Sequence, residues 1–152
     1  GACFASKKPT IVFMGDSAAE EDYSLSAIGW ASTKNIPILF IVEDNNLSIL
    51  TEKKIRRNWE MHDVAKGMKL KSFNISDDPM IIYKHLENSF NEPMLININT
   101  VRKFWHAGAG TDGENFDRYK IEMEFFGEKG KEIDEYNKNL VINAWEKQLG
   151  KQ

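Results

Sequence analysis

The sequence predicts an α/β fold: a three-layer, doubly wound parallel sheet with a C-terminal helix. Two observations carry that expectation. Four short apolar, β-prone runs recur between Thr10 and Asn99, and a segment with helical periodicity or a helix cap separates each from the next, as in parallel βαβ units. Beyond Thr100 the alternation stops, and the chain closes on one amphipathic stretch.

Taken in order, the first strand candidate is Thr10–Met14, "TIVFM". The next stretch, "GDSAAEED", turns the chain: Gly15 and Asp16 fall where the strand stops, Ser17, Ala18 and Ala19 are small, and a helical pattern opens from Glu20. In that helix Leu25, Ile28, Ala31 and Ser32 share one face, and Asn35 and Pro37 end it. The second strand is Ile38–Glu43. A polar loop containing "KKIRR" (Lys53–Arg57), which reads as a solvated charge run, leads to a helix in "NWEMHDVAKGM" that stops near Gly67. Lys69–Ile75 is the third strand. The helix after it has Asp78 at the N-cap and Pro79 at its first position, where a missing N–H costs nothing. Met94–Asn99 is the fourth strand.

The stretch "VRKFWHAGAGTDGENFDRYK", with Gly108, Gly110 and Gly113, reads as one long loop. Loops of that length in a compact domain are usually functional or disordered. The tail "KEIDEYNKNLVINAWEKQL" reads as a helix with Ile133, Tyr136, Leu140, Ala144 and Trp145 along one stripe. With no repeat, linker or low-complexity tract, residues 1–152 are expected to form a single domain. The chain opens without Met on "ACFASKKP", which reads as the end of a helix, so the N-terminal part of that domain is expected to lie outside it.

Composition narrows the function classes. The 152 residues carry a formal charge of −3, so the bulk charge points to neither nucleic acid nor an anionic membrane surface. No apolar run approaches the ~20 residues that span a bilayer, and no secretory leader is recognisable. The one cysteine, Cys3, excludes an internal disulfide and fits a reducing compartment. The cytoplasm is the expected location, with the mitochondrial matrix as the alternative.

The chemistry concentrates at two strand ends. Asp16 and Asn45 sit just past the carboxyl ends of the first two strands, where open parallel sheets hold their ligands. A carboxylate and an amide oxygen are hard donors suited to Mg²⁺ or Ca²⁺, and Mg²⁺ fills its remaining positions with phosphate oxygens and water. A helix starting near Ala18 would turn its backbone N–H groups and positive end to the same phosphates. Each feature alone has a plainer reading. A Gly-Asp at a strand end caps helices, and "DNN" makes turns. His62 and His85 sit within helices and read as structural, and Glu20, Glu21 and Asp22 read as an acidic first helical turn.

Together these residues resemble a known family. "GDSAAEE…NIPILFIVEDNNLSILT" resembles the thiamine diphosphate motif, Gly-Asp-Gly followed at a distance by Asn-Asn. The likeness is greatest to the alpha chain of the decarboxylating component of 2-oxo acid dehydrogenases. Set against it without gaps, Ala18, Ala19, Glu21, Ala31, Pro37, Phe40, Asn45, Ile49 and Thr51 match. Downstream, "NISDDP", "NEPMLININTVR" and "RKFWH" resemble further family blocks, so the likeness runs from Thr10 to Asp112. Two positions depart from the pattern: Ser17 replaces the third glycine, and Ser26 stands where the family often has Glu.

The resemblance implies a thiamine diphosphate and Mg²⁺ site. Asp16, Asn45 and the backbone carbonyl of Leu47 would hold the metal. Gly15, Asp16, Ser17, Ala18, Asn45, Arg102 and His106 would contact the cofactor. His106 would be the catalytic group over the diphosphate, with Arg102 supporting its loop. The implied reaction is oxidative decarboxylation of a 2-oxo acid, with the acyl unit passing to an acceptor such as lipoamide. The implied partners are a pyrimidine-domain (beta-type) chain, without which the chain is inactive, and a lipoyl acyltransferase. Two alternatives stay open: a transketolase-type thiamine enzyme, and a non-catalytic partner subunit that kept the fold.

Overall fold

The computed structural model describes residues 1–87, 90–103 and 116–150. Its elements begin with α1 (Ala2–Ser6), β1 (Thr10–Gly15), α2 (Asp16–Ala19), α3 (Asp22–Lys34) and β2 (Ile38–Asp44). A small hairpin of β3 (Leu47–Ser48) and β4 (Thr51–Glu52) follows, then α4 (Lys53–Arg56) and α5 (Met61–Gly67). The remaining elements are β5 (Lys71–Ser76), α6 (Pro79–Leu86), β6 (Met94–Asn99) and α7 (Arg118–Leu149). The chain divides into two compact units, Gly1–Glu114 and Asn115–Gln152.

In the first unit four parallel strands run in the order β1-β2-β6-β5, with Val12 opposite Phe40, Phe40 opposite Leu95, and Ile96 opposite Phe73. The central strands β2 and β6 are almost continuously apolar because both of their faces are covered. Ile38, Phe40 and Val42 of β2 pack with Ile28 and Ala31 of α3 and Met61 and Ala65 of α5. Leu39 and Ile41 point the other way, into a cluster with Ile96, Ile98 and, from α6, Ile82 and Leu86. This is the expected three-layer, doubly wound arrangement. Each fully buried Leu or Ile contributes roughly 1.5–3 kcal/mol.

Handedness explains which helices share a face. The connections β1–α3–β2 and β2–α5–β5 advance across the sheet, whereas β5–α6–β6 returns one place inward. Right-handed crossovers running in opposite directions lay their helices on opposite faces. Hence α3 and α5 lie on one face and α6 on the other.

Several elements differ from the sequence reading. The third strand starts at Lys71, because Lys69 takes a left-handed conformation (φ 71°) after α5 and delays the extended run. The helix expected from Glu20 is two pieces. The single turn α2 begins at Asp16 itself, and α3 begins at Asp22 after extended Glu21. Consequently no long helix points its N-terminus from Ala18. Asp78 does cap α6, accepting from Met80 N at 2.8 Å and Ile81 N at 3.3 Å. In α3, Ile28 and Ala31 are buried as predicted, and Ser32 Oγ donates to Met68 O at 2.6 Å. At the N-terminus α1 ends on Lys7 (φ 58°), and the buried Cys3 thiol donates to the Lys8 and Pro37 carbonyls at 3.4 Å.

The second unit is α7. It starts at Arg118, earlier than the expected loop allows, because Asp117 caps it by accepting from Lys120 N at 3.1 Å. It is not one straight rod. Gly127 (φ 55°, ψ −129°) interrupts it in a conformation that L side chains avoid. The break lets Tyr119, before it, hydrogen-bond Asp134, after it. The stripe residues Ile133, Tyr136, Leu140 and Trp145 are exposed. Among the described residues no helix is long and apolar enough to cross a membrane.

Candidate functional site

The carboxyl ends of β1, β2 and β6 surround a cavity of about 670 Å³, where the parallel-sheet rule expects a ligand. Gly15, Asp16 and Ser17 form one wall, and Glu43, Asn45, Leu47, Ser48 and Ile49 form another. Thr100, Val101, Arg102 and Lys103 complete it. Of the residues singled out in the sequence, Gly15, Asp16, Ser17, Asn45, Leu47 and Arg102 thus meet around one space. Ala18 does not line it; its carbonyl instead accepts from Ser24 Oγ at 2.7 Å. His106 lies outside the described residues, as does the glycine-rich stretch around it.

Asp16 is the most constrained of these groups. It begins α2 and keeps only 2% of its surface exposed. Its Oδ2 is ion-paired with Arg56 Nη2, and the other end of that guanidinium pairs with Glu20 Oε1. Arg57 Nη1 reinforces the pair, donating to the Asp16 backbone carbonyl at 2.9 Å and to Glu20 Oε2 at 2.6 Å. Burial nevertheless pushes the Asp16 carboxyl above its ordinary value, outweighing the downward pull of Arg56, while the Asp44 charge adds to the rise. A buried carboxyl raised above its ordinary value, at the wall of a cavity, is a mark of a functional position.

Asp44 is held in the opposite sense. Burial raises its carboxyl, but hydrogen bonds from Lys53, the Asn46 backbone and Asn97 together outweigh that, leaving it below the ordinary carboxylate value. The bonds are 2.7 Å from Lys53 Nζ, 2.9 Å from Asn46 N and 3.2 Å from Asn97 Nδ2. Asn97, itself fully buried, also donates to Asn74 Oδ1 at 3.0 Å. These contacts fix the turn after β2. Asn46 takes the left-handed conformation (φ 64°) that Asn tolerates, and its carbonyl accepts from Lys53 N at 2.9 Å. The turn brings the Asn45 side-chain oxygen to the Leu47 N–H at 3.3 Å. The Ile49 carbonyl receives Arg102 Nη2 at 3.3 Å, which ties the β3–β4 hairpin to the segment after β6.

The donor set on the cavity wall is chemically suited to Mg²⁺: an Asp carboxylate, an Asn side-chain oxygen and a backbone carbonyl, all hard oxygen ligands. Among the described residues no group of three or more His, Cys, Asp or Glu side chains is arranged to hold a metal ion by itself. The fit therefore rests on this mixed set.

The run "KKIRR" is not a solvated loop. Its first four residues form α4, and Lys53, Arg56 and Arg57 are largely buried. Arg57 also lies 4.8 Å from the Trp59 ring. The cause is the concentration of Asp16, Glu20, Asp44 and Glu60 opposite it, four acids that need cations. One signal was available in the sequence. Positions 53, 56 and 57 have the i, i+3, i+4 spacing of one helical face, whereas Lys54, on another face, is exposed.

A model of the dehydrogenase E1 component family matches residues 3–149. No curated protein matches the chain by sequence. Among solved structures, the transketolase of Campylobacter jejuni subsp. jejuni NCTC 11168 is similar, with TM-score 0.57 and 22% identity, over 62% of this chain and 16% of that one. Transketolase of Pichia stipitis in complex with sedoheptulose 7-phosphate is similar too, with TM-score 0.57 and 21% identity, over 74% of this chain and 19% of that one. At such identities the likeness concerns the fold. The chain spans less than a fifth of either transketolase.

Proposed function

The chain belongs to the dehydrogenase E1 component family, and from that premise we propose that it binds thiamine diphosphate and Mg²⁺ as the alpha-type subunit of a 2-oxo acid dehydrogenase-like enzyme. One observation carries the reading. Asp16, Ser17, Asn45 and Leu47 converge on a single cavity at the strand carboxyl ends, although the two pairs lie on separate strand ends.

When bound, the cofactor supplies the nucleophilic carbon and electron sink for loss of CO₂ from a 2-oxo acid. The residues of this chain hold and orient. Asp16, Asn45 and the Leu47 carbonyl would bind the metal, and the backbone of Gly15 and Ser17 would face the diphosphate. Arg102 braces the hairpin that carries Leu47 through its bond to the Ile49 carbonyl. His106 would donate a hydrogen bond to the diphosphate end, as a preorganised group beside developing charge. A pyrimidine-domain (beta-type) partner chain completes the site, and a lipoyl acyltransferase is the acyl acceptor.

Titration calorimetry with Mg²⁺ and thiamine diphosphate tests the assignment. Asp16→Ala should abolish metal-dependent binding, Asn45→Ala should weaken it strongly, and Asn46→Ala should matter much less. Equal losses at Asn45 and Asn46 would overturn the ligand register. No binding by the unaltered chain, alone or with its partner, would favour the non-catalytic subunit, a reading that Ser17 in place of the motif's third glycine supports.

A further inference from the structure

The pairing of Asp16 with a cation from outside the cavity raises the question of what Arg56 does. Asp16 lines the cavity and Arg56 does not, so the guanidinium reaches the carboxylate from the protein side. It engages one oxygen only, Oδ2. Its other amino group is fixed by Glu20, which Arg57 grips in turn at 2.6 Å. The helix that carries Arg56 is anchored independently, by Lys53 to Asp44 at 2.7 Å and to Glu60 at 2.9 Å. The guanidinium therefore sits in a rigid frame of two acids, a second arginine and a separately tethered helix.

The frame is not built for stability alone. Arg56 Nε and Arg57 Nε and Nη2 are buried N–H groups that meet no acceptor among the described residues. A planar fork that spans two carboxylates fixes direction as well as charge, which a lysine ammonium cannot do. Groups that hydrogen-bond a metal ligand from behind set its orientation, and their loss weakens metal binding.

We propose that Arg56 is a positioning residue for the metal site, holding the Asp16 carboxylate at the angle a small octahedral cation requires. The inference rests on the metal-site reading above and deepens it. Mg²⁺ demands near-ideal octahedral geometry, whereas Ca²⁺ accepts a loose and variable one. A carboxylate freed to rotate should therefore lose Mg²⁺ and keep Ca²⁺. Coulomb's law alone makes the opposite forecast, because deleting a nearby positive charge should tighten binding of both ions.

The experiment measures Mg²⁺ and Ca²⁺ affinities of the full chain by calorimetry at saturating thiamine diphosphate, for the unaltered protein and for Arg56→Met, Arg56→Lys and Lys54→Gln. Arg56→Met should weaken Mg²⁺ about tenfold or more while leaving Ca²⁺ within a few-fold. Arg56→Lys should rescue little, because it restores the charge without the fork. Lys54→Gln, at an exposed site, should change neither ion. Glu20→Gln keeps the Arg56–Asp16 pair but loosens its second anchor, and should show a smaller loss with the same bias. It serves if Arg56→Met does not fold. Tighter binding of both ions would make Arg56 a competitor, and equal weakening of both would make it a general support; either overturns the proposal. Failure of the unaltered chain to bind either ion, alone or with its partner, would overturn the metal-site reading itself, an outcome distinct from both.

Discussion

Asp44 and Lys53 meet at 2.7 Å inside the turn that carries Asn45, with Glu60 on the lysine's far side at 2.9 Å. Asp44→Asn would leave Lys53 facing Glu60 alone, at a cost of about 1–3 kcal/mol in urea unfolding at pH 7. Adding Lys53→Met should recover most of that loss, because no buried charge then lacks its partner. The sign of the pH effect follows from the lowered carboxyl. Its stabilisation is present above the ordinary value of 3.8 and disappears as pH falls through the depressed folded value. The gap between the two proteins should therefore be flat near neutrality and close in acid; a gap that widens in acid would reverse the assignment. Asp16 has the opposite sign. Its carboxyl is raised, so its contribution is present below 3.8 and is lost as pH rises through the folded value.

Local rules decide some elements and fail at others. The start of α6 follows from two adjacent residues, Asp78 accepting from two backbone N–H groups and Pro79 at the first position. Asp78→Ala should lower stability by about 1 kcal/mol, read as a shift in the urea midpoint at unchanged slope. No shift would mean that Pro79 and tertiary packing suffice. The β3–β4 hairpin was illegible because each strand is only two residues long and its turn places Ile49, a β-branched residue, at φ 55°. Sequence signals for a hairpin turn would call for Gly or Asn there. Similarly, α4 has four residues, too few for a hydrophobic period to register. It exists because its cations are bound.

At the scale of the molecule, β1 lies at an edge of the sheet among the described residues, with Ile11 43% and Phe13 65% exposed on the same side of the strand. An edge strand with bare apolar side chains invites pairing. With the proposed dependence on a partner chain, this predicts that the isolated chain self-associates in sedimentation velocity. Phe13→Lys should shift it toward monomer, since a charge on an edge strand opposes pairing. A clean monomer that turns over a 2-oxo acid by itself would refute the split-site reading.

The sequence by itself determined what short-range periodicity and strand ends encode. It set the four strands of the sheet, the buried face of α3, the cap of α6 and the placing of Asp16 and Asn45 past two carboxyl ends. Alternating βαβ units constrain those features within a few residues of each other. Tertiary structure alone decided that β6 lies between β2 and β5, that α7 breaks at Gly127, and that Arg56 pairs with Asp16, forty positions away in the chain. A charge in a sequence carries no mark of the charge it will meet. Only when the strand ends crowd Asp16, Glu20 and Asp44 together does burying them without cations become costlier than folding "KKIRR" over them.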